Sequence, residues 1–524
     1  MRWIFVDQQQ YRKDRTGRSS REVILPFIYP IIQPLVIFSR PHSYFPFTFP
    51  LIIHLLAIKE LIFMKRNYSL PLIKLLLVAV LPLLLIGWNK KPHKKAPPDV
   101  PVTYYKLKNG LKVVLSPDKT SPTIGVGVYY NIGFRIEPKN RTGFAHLFEH
   151  MMFQGSQNLG KMEFIQLVQK NGGILNGSTR FDFTNYFEVM PAHKLETALW
   201  AEADRMKGLK IAQENLTNQQ GVVKNEVKVN VLNQPYGGFP WLDMPQYANE
   251  NWYNAHNFYG DLADLDSAKL EDVQSFFKTF YSPGNAVLVV TGDFTVADAK
   301  SWIEKYFSAI PAVQLPPKPD LKEPLQQKEK RFTKEDKLAK KPALAVAYKM
   351  PERNTPEYYA MGLIDQILVQ GQDSKLYNLL VQKKGYSNTV AGGINIGLGN
   401  MYDYNGPMLW TSNITYDSTI SSDSILRQYD LAIDDLIKNV SADDLQLALV
   451  KIRSGLYDAM GGNFGIGKIN LLACFALFDD NPSKINTLET EFKKVTPDLI
   501  RKTAREYLRP TNRTILIIEP KAPK

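Results

Sequence analysis

The stretch His146-Leu147-Phe148-Glu149-His150 restricts this chain more than any other five residues. It lies in an apolar run, residues 142–152, whose spacing predicts a helix. Positions four apart on a helix stand one above the other, so both imidazoles can reach one ion. Glu149 falls one turn after His146, close enough to touch a water on that ion without ligating it. The order His-x-x-Glu-His reverses the commoner zinc spacing. Two histidines bind zinc weakly, so a catalytic centre needs another protein ligand and one position left for water. The fold must therefore carry a distant ligand to this helix.

Beyond the first 100 residues the remaining histidines are His193 and His256, so a carboxylate is the expected third ligand. Glu226 is the favoured one, within a helical stretch over 214–232. Glu202 and Asp204 compete from the stretch 200–205, and salt bridges on a helix face are the expected role for both. The single cysteine, Cys474, lies in the apolar run 471–475 and reads as a small buried hydrophobe. One cysteine excludes a disulfide within the chain and a cysteine-type zinc site.

The net charge of +13 suggests nucleic acid until it is located. Residues 1–92 hold 13 Lys/Arg against 4 Asp/Glu, which accounts for most of the excess. The remainder does not interleave basic and aromatic residues as nucleic-acid readers do, so no nucleic-acid partner is expected. In residues 1–63 the apolar runs 23–38 and 44–58 are broken by Pro26, Pro30, Pro34, Pro46 and Pro50. Repeated prolines deny a membrane span its internal hydrogen bonds. We read 1–63 as a spurious or disordered extension, with Met64 as the effective start. Met64-Lys65-Arg66 and the apolar run 75–86 form a signal peptide or anchor over 64–90, with a basic linker over 91–103. The body is then exported, to a bacterial periplasm or cell envelope, and residues 70–87 could remain as a membrane tether.

At 524 residues the chain exceeds one ordinary core. Strands are expected at 124–130 and, as a pair, at 174–180 and 181–190, with a hairpin over 107–115 turning at Asn109-Gly110. Helices are expected at 162–171, 193–207, 214–232 and 270–281, the last feeding a strand at 286–291. This irregular alternation indicates α+β. A proline-rich, charged linker over 313–334 separates a domain 104–312 from a domain 335–524. The unit 270–290, helix, Pro-x-Asn turn and apolar strand, recurs at 497–518, so two tandem homologous αβ domains are the simplest account. Register from 153–155 and 369–371 sets Gly362, Asp365 and Gln366 opposite His146, Glu149 and His150, and the second domain then cannot hold the metal.

From residue 104 onward the chain resembles the pitrilysin/insulinase family of zinc peptidases, the inverzincins, and especially the half-length members related to mitochondrial processing peptidase. His146-x-x-Glu149-His150, Glu226 and the run Gly172-Gly173-Ile174-Leu175-Asn176, continuing to Thr184-Asn185-Tyr186, carry the resemblance. It implies one Zn2+ per chain on His146, His150 and Glu226, a water of lowered pKa, and Glu149 as the general base. It implies an edge strand from Gly172 that takes a peptide by backbone pairing, beside the simpler role of two glycines as a helix stop. Two departures stand out. Gln219 occupies a position where active members carry a glutamate near the metal ligand, a change in the surroundings of the metal. Val381 and Asn388 fall where the family places a substrate-binding arginine and tyrosine, although a small shift of register sets Tyr386 in the tyrosine's place. A heterodimer with a metal-free relative that brings the Arg/Tyr pair is therefore expected, with a homodimer as the alternative. The competing functions are a binding or assembly subunit without useful turnover, and a membrane protein organised by residues 1–86.

Overall fold

The computed structural model describes residues 99–462 and 465–521. The expectations for the extension, the signal and most of the first linker lie outside the described residues. Strands β1 (Thr103–Lys106) and β2 (Lys112–Pro117) make the expected hairpin. Gly110 turns it at φ 91°, where a Cβ would come within 3.0 Å of Gly284, so only glycine suits the position. With β3 (Thr123–Tyr130), β4 (Ile174–Thr179), β5 (Thr184–Pro191) and β6 (Ala286–Gly292) they form a sheet of order β1-β2-β6-β3-β5-β4, in which β4 is an edge. A second sheet holds β7 (Lys330–Asp336), β8 (Ala343–Lys349), β9 (Ala391–Ile394), β10 (Leu409–Thr415) and β11 (Arg513–Pro520), in the order β7-β11-β8-β10-β9. Without β1 the two orders coincide, down to one parallel pair each, β2 with β6 and β7 with β11.

The helices that matter below are α1 (Phe144–Met151), α2 (Glu163–Lys170), α3 (Leu195–Lys207), α4 (Gln213–Val227), α5 (Asp243–Ala248), α6 (Leu270–Phe280) and α7 (Val296–Phe307) in the first half. In the second half they are α8 (Pro356–Leu368), α9 (Ser422–Asn439), α10 (Ala442–Gly461), α11 (Ile466–Asp479) and α12 (Pro497–Tyr507). The recurring unit of the sequence is α6 to β6 and α12 to β11, each joined by a short 3-10 turn, Pro283–Asn285 and Pro510–Asn512. The fold is thus mixed α/β, two sheets packed with helices.

Each sheet borrows a cover from the other half. Side chains alternate along a strand, so Leu288 and Val290 face α1, α3, α6 and α7 while Val287 and Val289 face the opposite way. Helix α11 fills that opposite face, and its buried residues extend around the helix, from Ile469 to Leu472, Cys474 and Phe475. Gly125 and Gly127 admit it, because a Cβ at either would stand 2.6 Å from Ile469. In return, Phe239, Met244 and Ala248, at and before α5, cover the small residues Ala343, Ala345 and Ala347 of β8.

The linker read as 313–334 ends earlier. Residues 330–334 belong to β7, an edge strand that runs parallel to β11 from Lys330 to Asp336. Its charged, half-exposed pattern imitates a linker because an edge strand buries few side chains. The preceding segment is also held down: Glu323 accepts from the amides of Glu250 and Asn251 and pairs with Lys349 at 3.0 Å. No single helix among the described residues is long and apolar enough to cross a membrane.

Two outcomes follow from the borrowed covers. Ile469→Ala should cost about 2–4 kcal/mol in urea unfolding, since Ile469 is fully buried against the other half's sheet. Asp118 is also held across this boundary: its bond from Lys468 at 2.8 Å lowers the carboxyl from 3.8 to about 2. A depressed folded pKa stabilises the fold above about pH 4, and that gain is lost as pH falls through about 2. Asp118 is one-third exposed, so Asp118→Asn should remove only about 1 kcal/mol at neutral pH and flatten the acid limb of a stability-pH curve.

Candidate metal centre

Helix α1 has eight residues, too few to be stable alone, and Gly143 at its start offers no side-chain cap. Glu137 does the capping from outside the helix. Its Oε2 accepts from the Gly143 amide at 2.9 Å and its Oε1 from the Ala145 amide at 2.6 Å, two of the unpaired donors of a helix N-terminus. Burial pushes the Glu137 carboxyl above its usual range, against the opposing pull of His256 and these amides. His256 lies 3.9 Å away, stacked on Trp252 and hydrogen-bonded to the Phe134 and Trp252 carbonyls. At the other end the Tyr186 hydroxyl donates to the Phe148 carbonyl, and Phe148 stacks on Phe276 and Tyr281.

Helix α4 packs along α1 and carries Glu226 in its last turn, just before a π-helical turn, Lys228–Leu232. The stretch read as one helix is therefore an α-helix with a wider final turn, a device common beside functional residues. The Nε2 atoms of His146 and His150 stand 3.4 Å apart. Glu226 places Oε1 3.7 Å from the first and Oε2 3.3 Å from the second. Among the described residues this is the group of His, Cys, Asp or Glu able to hold a metal, its donor atoms all within 4.8 Å of one another. Two ligands each ~2.0–2.1 Å from a tetrahedral zinc lie ~3.4 Å apart, so the donor set and spacing fit that ion. Burial opposes the charge on Glu226, but bonds to His146 and His150 and their charges prevail and hold its carboxyl far below the usual range. Burial likewise lowers His146, yet Glu226, Glu149 and Glu137 raise it overall.

Glu149 sits beside this group with Oε2 accepting from the Thr179 hydroxyl at 2.8 Å, which leaves Oε1 free of that bond. Thr179 ends the edge strand β4, and β4 runs close to α1: a Cβ on Gly177 would approach the Glu149 side chain to 3.3 Å. Two consecutive family models match, "Insulinase (Peptidase family M16)" over residues 112–251 and "Peptidase M16 inactive domain" over 267–449, together more than half of the chain.

The chain belongs to peptidase family M16. Its relatives include the Helicobacter pylori "Zinc protease PqqE", 29% identical over 283 residues that span 53% of this chain and 63% of that one. An uncharacterised zinc protease of Bacillus subtilis, YmxG, is 23% identical over 55% of this chain and 68% of that one. The match to an insulin-degrading enzyme homologue of Dictyostelium discoideum spans 21% of that protein, so the chain covers under two thirds of PqqE and of this homologue. A protease from Helicobacter pylori has the same fold, with TM-score 0.73 and 23% identity over 80% of this chain and 100% of that chain. The periplasmic protease PqqL of Escherichia coli matches with TM-score 0.64 and 16% identity over 81% of this chain and 48% of that one.

The other residues singled out in the sequence fall as follows in this M16 chain. Gly172, at φ 77°, and Gly173 turn the chain after α2, and a Cβ on Gly173 would strike Met190 and Val168 within 2.8 Å. Ile174, Leu175 and Asn176 begin β4, half-buried, with the Asn176 carbonyl oxygen of the side chain accepting from the Gly177 amide. Gln219 is buried two turns before Glu226, but its amide donates to Asn218 and bonds to none of His146, His150 and Glu226. Glu202 and Asp204 are both buried; Glu202 makes the expected salt bridge along its own helix, and Asp204 does not. Glu202 pairs with Arg205, and Asp204 accepts from Ser156 and from the Asn158 amide and side chain. In the second half Asp365 is spent on Trp410 and Gln370, and burial pushes its carboxyl up to about 6. Val381 lies in a π-helical turn, Asn378–Lys383, and Asn388 is exposed.

Sequence reasoning missed Glu137, the bond from Thr179 to Glu149, and Tyr259, whose ring stands edge-on to His146 with centroids 5.1 Å apart. No spacing rule finds them, since each reaches α1 through the fold. Glu137→Gln replaces an acceptor of two amides by a group that can serve only one. It should lower stability by about 2–3 kcal/mol and weaken metal binding, as read by thermal melting and zinc titration.

Proposed function

We propose that this chain is a zinc-dependent endopeptidase acting on extended or unfolded polypeptides. The observation that carries the reading is the convergence of His146, His150 and Glu226 within 4.8 Å, with Glu149 alongside and an open edge strand leading to it. Zinc held by those three residues would supply Lewis-acid chemistry, lowering the pKa of a water to about 7 and polarising a peptide carbonyl. Glu149 takes the proton from the attacking water on Oε1 and delivers it to the leaving amine, while Thr179 fixes the carboxylate through Oε2. A substrate pairs with β4 as an added strand, so the backbone is held with little regard to side chains. The two halves are best understood as copies of one unit, in which only the first kept metal ligands; their matching strand orders support this.

The proposal includes a partner. Val381 and Asn388 leave this chain without the arginine and tyrosine expected of the second half, and a metal-free relative would bring them in a heterodimer. It also places the protein outside the cytoplasm, which the composition of 64–90 supports and which matches the periplasmic description of PqqL.

Glu149→Gln keeps the hydrogen bond from Thr179 and removes the base. Metal analysis should find one zinc per chain in both proteins, with peptide hydrolysis lowered about 10²–10⁴-fold in the variant. Hydrolysis at the original rate would refute the mechanism, and a wild-type protein that binds zinc without cleaving peptides, alone or with its partner, would favour a binding subunit.

A further inference from the structure

When water adds to a peptide carbonyl, negative charge gathers on its oxygen, and fixed donors aimed at that oxygen contribute much of the catalysis. Two side chains beside the centre have unused donors. The Tyr259 ring is fixed between His146, at 5.1 Å, and Trp241, at 5.7 Å, both edge-on. Its backbone amide bonds to Asn257, but its hydroxyl has no partner among the described residues. The side chain is only partly buried, and the charges of Glu226 and Glu149 both act on its hydroxyl.

The loop carrying Tyr259 is mated to the start of α1. Gly260, at φ 77°, lies so close that a Cβ would stand 2.4 Å from the Gly143 amide nitrogen, and a Cβ on Gly143 would stand 2.8 Å from the Tyr259 carbonyl. Thr142 fastens the join, its hydroxyl accepting from the Asp261 amide and donating to Asp264. Tyr259 is therefore positioned by the same helix that carries both histidines.

Arg180 follows Thr179, the residue that holds Glu149. Its guanidinium makes one long bond, 3.4 Å, to the Thr179 carbonyl and pairs with no carboxylate among the described residues. Its charge acts on the Tyr259 hydroxyl with the sign opposite to that of the two carboxylates. A half-buried arginine with no close ion pair, its charge felt only at a distance by Asp403, keeps donors for an anion that visits it.

We infer that Tyr259 is a further catalytic residue, which donates a hydrogen bond to the oxygen of the scissile carbonyl as charge develops there, and that Arg180 supports that charge electrostatically. The phenol keeps its proton, and no bond to either residue forms or breaks. The inference rests on the peptidase reading above.

The test uses binding, on the full zinc-loaded chain. A phosphinic pseudo-peptide, whose tetrahedral anion resembles the charged state, is compared with its parent peptide bound to the Glu149→Gln background. Tyr259→Phe should weaken the phosphinic compound about 10–100-fold while leaving the parent peptide within about 2-fold and zinc at one per chain. Arg180→Ala should weaken it less, about 3–10-fold, with partial recovery in Arg180→Lys. Unchanged phosphinic binding in Tyr259→Phe, or equal weakening of both ligands, overturns the inference and leaves the ring as a wall for His146. A wild-type chain that binds neither zinc nor the phosphinic compound overturns the peptidase reading first, and this inference with it.

Discussion

The distance between α1 and α4 is the constraint on which the rest depends. Three donor atoms from two helices meet within 4.8 Å, so sub-ångström control of one helix against the other decides whether an ion is held. Neither helix has that control by itself. Helix α1 is short and takes its cap from Glu137, while α4 is largely polar and fastens itself through Gln220 to the Leu265 carbonyl and Lys224 to Asp266. The segment 259–267, a turn and the short helix Leu262–Ser267, thus touches the start of α1 and the flank of α4 at once, and it serves as the spacer between them.

The second half repeats the strand order of the first without its chemistry. Where α1 presents Glu149 to a solvent-reachable centre, α8 buries Asp365 against Trp410. That half contributes packing instead: α11 lies across the first sheet and its Ile469 occupies space left by Gly125 and Gly127. The exchange of α11 for α5 means that each sheet is covered only when both halves are folded, which makes the metal centre sensitive to changes far from it.

Much of this was legible in the sequence. The 3.6-residue period set His146 and His150 on one face, the apolar run 286–291 read as a buried strand, and the recurrence of helix, Pro-x-Asn turn and strand pointed to a repeated fold. Glu226 was reachable because the other histidines were few, a helix over 214–232 carried it, and the family resemblance implies a glutamate at that position. What was not legible depends on contacts far apart in the chain. Glu137 looks like an ordinary acid in a loop, Tyr259 like one aromatic residue among many, and β7 like more linker, because its pairing with β11 spans nearly two hundred residues. Asp204 was misjudged for the same reason: its partners, Ser156 and Asn158, come from another loop and not from its own helix.

X-ray absorption on the zinc-loaded chain tests the central claim most directly, since it reads the ligands and not only the activity. The account predicts two imidazole nitrogens at ~2.0–2.1 Å with carboxylate and solvent oxygens completing the shell, and loss of one imidazole in His150→Ala and of the carboxylate in Glu226→Ala. A spectrum with sulfur ligands, or one unchanged by either substitution, would contradict it.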